Sequence, residues 1–158
     1  MRVGHGYDAH RLETGRPLIL GGVEIHSEKG LVGHSDADVL VHAIMDALLG
    51  AAAMGDIGDY FPDTDAKWHG ASSVGMMKEV AGMLVKAGWV VNNIDSTIVA
   101  QAPKLAPYIS EMRETLAQAL NIDTDRVSVK ATTTEGMGFA GQGAGMEAYA
   151  VATITGSR

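Results

Sequence analysis

A chain of 158 residues and 16.5 kDa is long enough to bury the core of one domain without covalent staples. Its 19 acidic against 12 scattered basic residues give a net charge of -7, which argues against nucleic acid or an anionic membrane as the main partner. Cysteine is absent, so disulfides, thiolate metal sites and Cys nucleophiles are excluded, and a transition metal has to be held by His and carboxylate.

Residues 1–10 mix alternation with small residues and read as a strand. Residues 17–25 read as two short strands around the Gly21-Gly22 turn. Residues 35–53 carry the clearest helical period, with Val39, Leu40, Ala43, Ile44, Ala47 and Leu48 on one side. Ser35 is the expected cap of that helix, with Asp38 three residues later in a capping-box-like arrangement. Residues 55–70 hold Gly, Pro and four Asp without periodicity and read as a long surface loop. A helix over 72–87 is stopped by Gly88. A Val- and Ile-rich strand over 89–101, a helix over 107–120, and strands over 126–134 and 145–155 follow. A Gly-rich bend lies between the last two. The expectation is an α/β (α+β) domain over 1–158: a mixed four-stranded sheet with helices on one face, plus a small β-hairpin. Three amphipathic helices cannot cover both faces, so the other face is an expected oligomer contact. No run of 18 apolar residues occurs, and residues 1–6 do not read as a signal peptide. A soluble, cytoplasmic protein without membrane partners is expected.

Five of the six histidines fall within the first 42 positions. Asp8 and His10 are two apart on a strand and therefore face the same way. His42 approaches from the following helix. An Asp-His-His set suits zinc with an open fourth position, and equally Mn or Fe; a surface His and a structural Asp are the plain alternative. Asp38 and Asp46 flank His42 at i-4 and i+4, and either could orient the imidazole or simply be a solvated or capping group. His34 and Ser35, at the expected helix start, could meet an anion or equally be a plain N-cap with an exposed His. Thr132, Thr133, Thr134 and Glu135 end a strand where hydroxyls could hold phosphate and a carboxylate a hard cation; β-propensity alone also explains the threonines. The Asp residues at 56, 59, 63 and 65 suit hydroxyl or cation recognition, or simple turns.

Together, Gly4-His5-Gly6-Tyr7-Asp8-Ala9-His10, Leu20-Gly21-Gly22-Val23, Gly33-His34-Ser35-Asp36-Ala37-Asp38, Asp56-Ile57-Gly58, Phe61-Pro62-Asp63-Thr64-Asp65, Ala100-Gln101-Ala102-Pro103-Lys104 and Lys130-Ala131-Thr132-Thr133-Thr134-Glu135 stand in the order and spacing of one family. The chain resembles the 2-C-methyl-D-erythritol 2,4-cyclodiphosphate synthases of the non-mevalonate isoprenoid pathway, nearly end to end. The resemblance implies a homotrimer with inward-facing sheets and active sites at subunit interfaces. It implies a cytidine diphosphate-linked substrate, whose 2-phosphate attacks the β-phosphorus and expels CMP.

Family roles follow by residue. Asp8, His10 and His42 match ligands of one Zn2+ per subunit, and Glu135 matches the ligand of a second divalent cation, Mg2+ or Mn2+. His34 and Thr133 match the pair that steadies the transition state. Substrate contacts are implied for Ser35, Asp56, Ile57, Gly58, Thr132, Thr134, Phe139 and Gln142. They are also implied for Phe61, Pro62, Asp63, Thr64 and Asp65, in a loop expected to close over the substrate. A cytidine pocket is implied for Ala100, Gln101, Ala102, Pro103, Lys104, Leu105 and Ala106. The family commonly has a basic residue where this chain has Gln142, and often Glu where it has Ala144, positions toward the trimer cavity. Weak binding of isoprenoid diphosphates there is the expectation. Two other functions compete: a metal-dependent nucleoside-diphosphate hydrolase with Asp63 or Asp65 activating water, and a non-catalytic nucleotide- or isoprenoid-binding trimer.

Overall fold

Small and large residues alternate along the first strand, β1 (Arg2–Thr14), and that alternation decides what covers the sheet. Gly4 and Gly6 point to one face, and helix α1 (Val39–Ala52) lies directly on them. A Cβ on Gly4 would stand 1.9 Å from the Ala47 carbonyl oxygen, and one on Gly6 1.8 Å from that of Ala43. Only glycine on the strand and alanine on the helix permit this backbone-to-backbone approach. α1 is buried at every position except Asp46 and Gly50.

The computed structural model describes residues 1–156; the expected domain over 1–158 also includes Ser157 and Arg158, which lie outside the described residues. After β1 come β2 (Leu18–Leu20) and β3 (Val23–Ile25), paired around Gly21 and Gly22, then β4 (Lys29–Leu31) and α1. The chain continues through α2 (Ile57–Tyr60), α3 (Ser73–Lys86), β5 (Trp89–Val99) and α4 (Ile109–Leu120). It ends with β6 (Val127–Thr132), α5 (Gly138–Gly141) and β7 (Gly145–Gly156). The main sheet runs β4-β1-β7-β5-β6, antiparallel except for β5 and β6. That one parallel pair needs a crossover, which α4 provides. Among the described residues no helix is long and apolar enough to cross a membrane.

The mixed sheet, its helix-covered face and the separate hairpin are as the sequence predicts. The sheet has five strands rather than four, because β1 runs on to Thr14 and Leu12–Thr14 pair with the short β4. Three residues, Lys29, Gly30 and Leu31, carry no period from which to read a strand.

Two local expectations are corrected. α1 starts at Val39, not near Ser35, because Ala37 takes a left-handed φ of 57° and Asp38 becomes the N-cap. The Asp38 carboxylate accepts from the N–H of Val41 at 3.1 Å, Gly21 at 3.0 Å and Gly22 at 2.7 Å, so it also ties the hairpin turn to the helix. His34 and Ser35 therefore lie upstream of the helix N-terminus, where Asp38 already fills the anion position. The 55–70 segment is also more ordered than a bare loop. Asp56 and Asp59 form a capping box around α2, and Asp65 caps a single 3-10 turn. The Phe61 and Trp68 rings meet edge to face at 4.7 Å.

On the sheet face opposite α1, Val3 (67%), Tyr7 (44%), Tyr149 (41%) and Val151 (41%) remain exposed. Tyr7 and Tyr149 stack obliquely at 5.1 Å, and the Tyr7 hydroxyl donates to Glu147 at 2.8 Å.

Candidate metal centre

The two-residue strand period carries Asp8 and His10 to the same side as Gly4 and Gly6, at the edge of α1. His42, one turn into α1, is 7% exposed and faces them. Three donor atoms converge: Asp8 Oδ2 lies 2.8 Å from His10 Nε2 and 3.0 Å from His42 Nδ1, and the two nitrogens are 3.2 Å apart. Among the described residues this is the one group of three metal-ligating side chains brought together.

Proton positions follow from the partners. His10 Nδ1 faces the Val32 carbonyl at 2.8 Å and so donates to it, which leaves Nε2 with its lone pair. His42 Nε2 faces Ser73 Oγ at 2.9 Å, and the Ser73 hydroxyl donates to the Asp36 carboxylate in a very short contact. Ser73 can then only accept from His42, so His42 carries its proton on Nε2 and turns the Nδ1 lone pair inward. Two lone pairs and a carboxylate oxygen turned toward one point can hold a cation. A tetrahedral zinc with bonds of about 2.0–2.1 Å separates its ligands by about 3.3 Å, close to the spacings here. The donor set fits a divalent transition metal. With a proton in place of the metal, Asp8 and the imidazoles form an ion pair. Burial alone would raise the Asp8 carboxyl, but the hydrogen bonds and charges of His10 and His42 outweigh it and bring it to about 2. Burial would lower His10, and the hydrogen bond and charge of Asp8 outweigh that and raise it.

Asp38 and Asp46 do not orient His42. Asp38 serves the cap and hairpin, and Asp46 accepts from the Ile57 N–H at 2.9 Å. His42 Nε2 instead meets Ser73, with Asp36 behind it, and neither is connected to His42 by sequence spacing. Gly33 gives His10 its room, since a Cβ there would lie 3.0 Å from the His10 ring.

The metal donors open into a cavity of about 470 Å³, also lined by His34, Ser35, Ile57, Gly58, Phe61, Pro62 and Asp63. Trp68 and Met76 line it too, and sequence reasoning missed both. Periodicity marks Met76 only as a core residue of α3, and nothing local marks Trp68. Asp56, Thr64 and Asp65 are not among its lining residues. Asp56 and Asp65 point their carboxylates back at the N–H groups of Gly58 and Lys67. His34 Nε2 donates to the Asp65 carbonyl at 3.1 Å.

A second cavity, of about 430 Å³, is lined by Ala100, Gln101, Pro103, Lys104, Leu105, Ala106, Thr132 and Thr133. The Ala102–Pro103 peptide beside it is cis. Glu135, with a left-handed φ of 53°, is exposed on the adjoining bend. Its N–H donates to Thr133 Oγ1 at 3.3 Å, while Thr134 Oγ1 donates to the Met137 carbonyl. Phe139 lines a shallow cavity with His10 and Arg11, and Gln142 lines another with Lys29 and Gln101. The structure does not bring Glu135 and the threonines to the metal donors within one chain. Asp8 pairs with Ala148, Ala148 with Ile98 and Ile98 with Ala131, so three inter-strand steps, about 14 Å, separate β1 from β6.

An α/β domain with a potential metal site of two imidazoles and a carboxylate, set where a strand meets a helix, is what fold and geometry define. The YgbB family matches residues 1–155, and the chain belongs to that family. It is 62% identical over 154 residues to the 2-C-methyl-D-erythritol 2,4-cyclodiphosphate synthase of Syntrophomonas wolfei, covering 98% of each chain. A 2C-methyl-D-erythritol-2,4-cyclodiphosphate synthase solved in a CDP-bound form superimposes with a TM-score of 0.90 at 36% identity, over 98% of this chain and all of that one. The bifunctional IspDF of Campylobacter jejuni gives 0.95 at 42% identity over 98% of this chain, which spans 42% of that longer protein.

Proposed function

We propose that this chain converts 4-diphosphocytidyl-2-C-methyl-D-erythritol 2-phosphate to 2-C-methyl-D-erythritol 2,4-cyclodiphosphate and CMP. The observation that carries this reading is the convergence of Asp8, His10 and His42 on one point, in a chain so similar to synthases of that name. An oxygen of the 2-phosphate forms a bond to the β-phosphorus. The bond from that phosphorus to the oxygen bridging it to the α-phosphorus breaks, and CMP leaves with the bridging oxygen and its electron pair. The nucleophile belongs to the substrate, so the protein's task is positioning and charge relief.

Asp8, His10 and His42 hold Zn2+ in this reading, and Glu135 contributes to a second site for Mg2+ or Mn2+. Such ions, when bound, neutralise phosphate charge and polarise phosphoryl oxygens. His34 and Thr133 donate to phosphoryl oxygens as charge shifts toward the leaving group. Ser35, Ile57 and Gly58 bound the erythritol side. Phe61, Pro62 and Asp63 shield it from water, with Asp56, Thr64 and Asp65 shaping their segment through its caps. Gln101, Lys104 and the backbone of 100–106 enclose the cytosine and ribose, and Thr132, Thr134, Phe139 and Gln142 border the diphosphate path.

A homotrimer belongs to the same reading. The strands that carry the two cavities lie three inter-strand steps apart in one sheet, so in this reading a second copy supplies the nucleotide half next to the metal half. The exposed Val3, Tyr7 and Val151 face offers the apolar surface for that contact. A cytoplasmic location is part of the reading as well.

Phosphorus NMR of the products tests it. A ring diphosphate with stoichiometric CMP is the expected result, lost with chelator. Separate phosphomonoesters would instead make the chain a hydrolase.

A further inference from the structure

We propose that Ser73, backed by Asp36, is the positioning residue of the metal centre: it fixes the proton of His42 on Nε2 and so keeps Nδ1 aimed at the cation. The proposal rests on reading Asp8, His10 and His42 as metal ligands.

The argument is a count of protons. Both oxygens of the Asp36 carboxylate act as acceptors. One carboxylate oxygen receives the Ser73 hydroxyl and, at 3.2 Å, the Asp38 N–H; the other receives the Ser73 backbone N–H at 3.0 Å. The single hydroxyl proton of Ser73 is thereby committed. Its oxygen, 2.9 Å from His42 Nε2, can only accept, which forces the His42 tautomer. Ser73 is completely buried, so no water competes for that position.

Ser35 is the rival for this role, and the geometry disfavours it. Its Oγ lies farther from His42 Nε2, at 3.2 Å, and also accepts from the Ala37 N–H. No carboxylate stands behind it. Ser35 can turn to a ligand in the cavity it lines without releasing the imidazole. Ser73 sits in the first turn of α3, next to its N-cap Ser72, and needs no rearrangement to hold its place. The negative charge of Asp36, transmitted through the hydroxyl, also makes Nδ1 the better donor.

The test is zinc affinity, measured by chelator competition on the folded, metal-free chain and checked by the visible absorption of the Co2+ form. Ser73→Ala should weaken zinc binding about 10- to 100-fold. Asp36→Asn should weaken it in the same direction, and Ser35→Ala should leave it within about 3-fold of the parent on the same scale. In a His42→Ala background, Ser73→Ala should have no further effect, because the imidazole through which it acts is gone. Unchanged affinity in Ser73→Ala and Asp36→Asn would overturn the proposal. So would an effect of Ser73→Ala that persists without His42, or failure of both single variants to fold, since each would make the pair structural. A parent chain that binds no zinc would defeat the metal-centre reading itself, a separate outcome.

Discussion

The β1–α1 junction and the β6–β7 bend answer the same chemical problem in opposite ways. At the junction the backbones are in contact through Gly4, Gly6, Ala43 and Ala47, and each imidazole of the candidate metal site has a fixed partner behind it. At the bend, Thr132, Thr133 and Glu135 are exposed and bond mainly to their own neighbours. A site that fixes a transition metal between two imidazoles and a carboxylate has to be rigid within tenths of an ångström, and close packing supplies that rigidity. A surface that admits a large nucleotide has to stay open until the substrate, and on our reading a second copy, closes it.

The sharpest way to break this contrast is at His42. His42→Ala should weaken zinc binding to that of the two remaining ligands and reduce CMP release by about 10³-fold or more, since a Lewis acid supplies several kcal/mol. Metal analysis beside a turnover assay checks it, and full activity without metal would remove the distinction between the two regions. Next comes packing. Gly6→Ala should destabilise the fold by about 1–3 kcal/mol or more, because the new methyl would overlap the Ala43 carbonyl. Gly82→Ala, in the open interior of α3, should stabilise by about 0.5–1 kcal/mol. Denaturant titration of both variants reads the pair, and equal effects would mean that the strand–helix contact is loose.

At the bend the expected effects are gentler. Glu135→Gln should shift the Mg2+ or Mn2+ dependence of turnover to higher concentration while zinc content stays constant. An unchanged metal titration would take Glu135 out of the second site. The smallest expected effect lies on the open sheet face. The hydrogen bond to Glu147, then burial, then the Glu147 charge push the Tyr7 hydroxyl up to about 12. Its folded value exceeds the ordinary 10, so the contribution of this pair is complete below pH 10 and is lost as pH rises toward 12. Ultraviolet titration should show one late tyrosine, absent in Tyr7→Phe and earlier in Glu147→Gln.

How much of this was legible in the sequence follows from range. Asp8 and His10 declare a shared face through the strand period, and His42 lies on the most periodic helix, so the potential metal set could be read from the sequence, with a surface His and a structural Asp as its alternative. The helix-covered sheet and the hairpin were equally plain. What hid was whatever depends on a single turn or a distant partner. The start of α1 moved because of one left-handed alanine; of the two readings of Asp38, the capping one holds, and its tie to the hairpin turn is what spacing did not show. Ser73 reaches His42 across 31 positions, from a helix whose own pattern only says that it packs. Asp56 and Asp65 looked like ligands because carboxylates in a loop look alike, whether they cap the backbone or face a cavity.

X-ray absorption at the zinc edge, on purified protein loaded with one equivalent, tests the central claim most directly. Two imidazole nitrogens and one carboxylate oxygen at about 2.0–2.2 Å, with one light-atom position left over, are the predicted shell. A shell without two imidazoles, or zinc lost on simple dialysis, would contradict it.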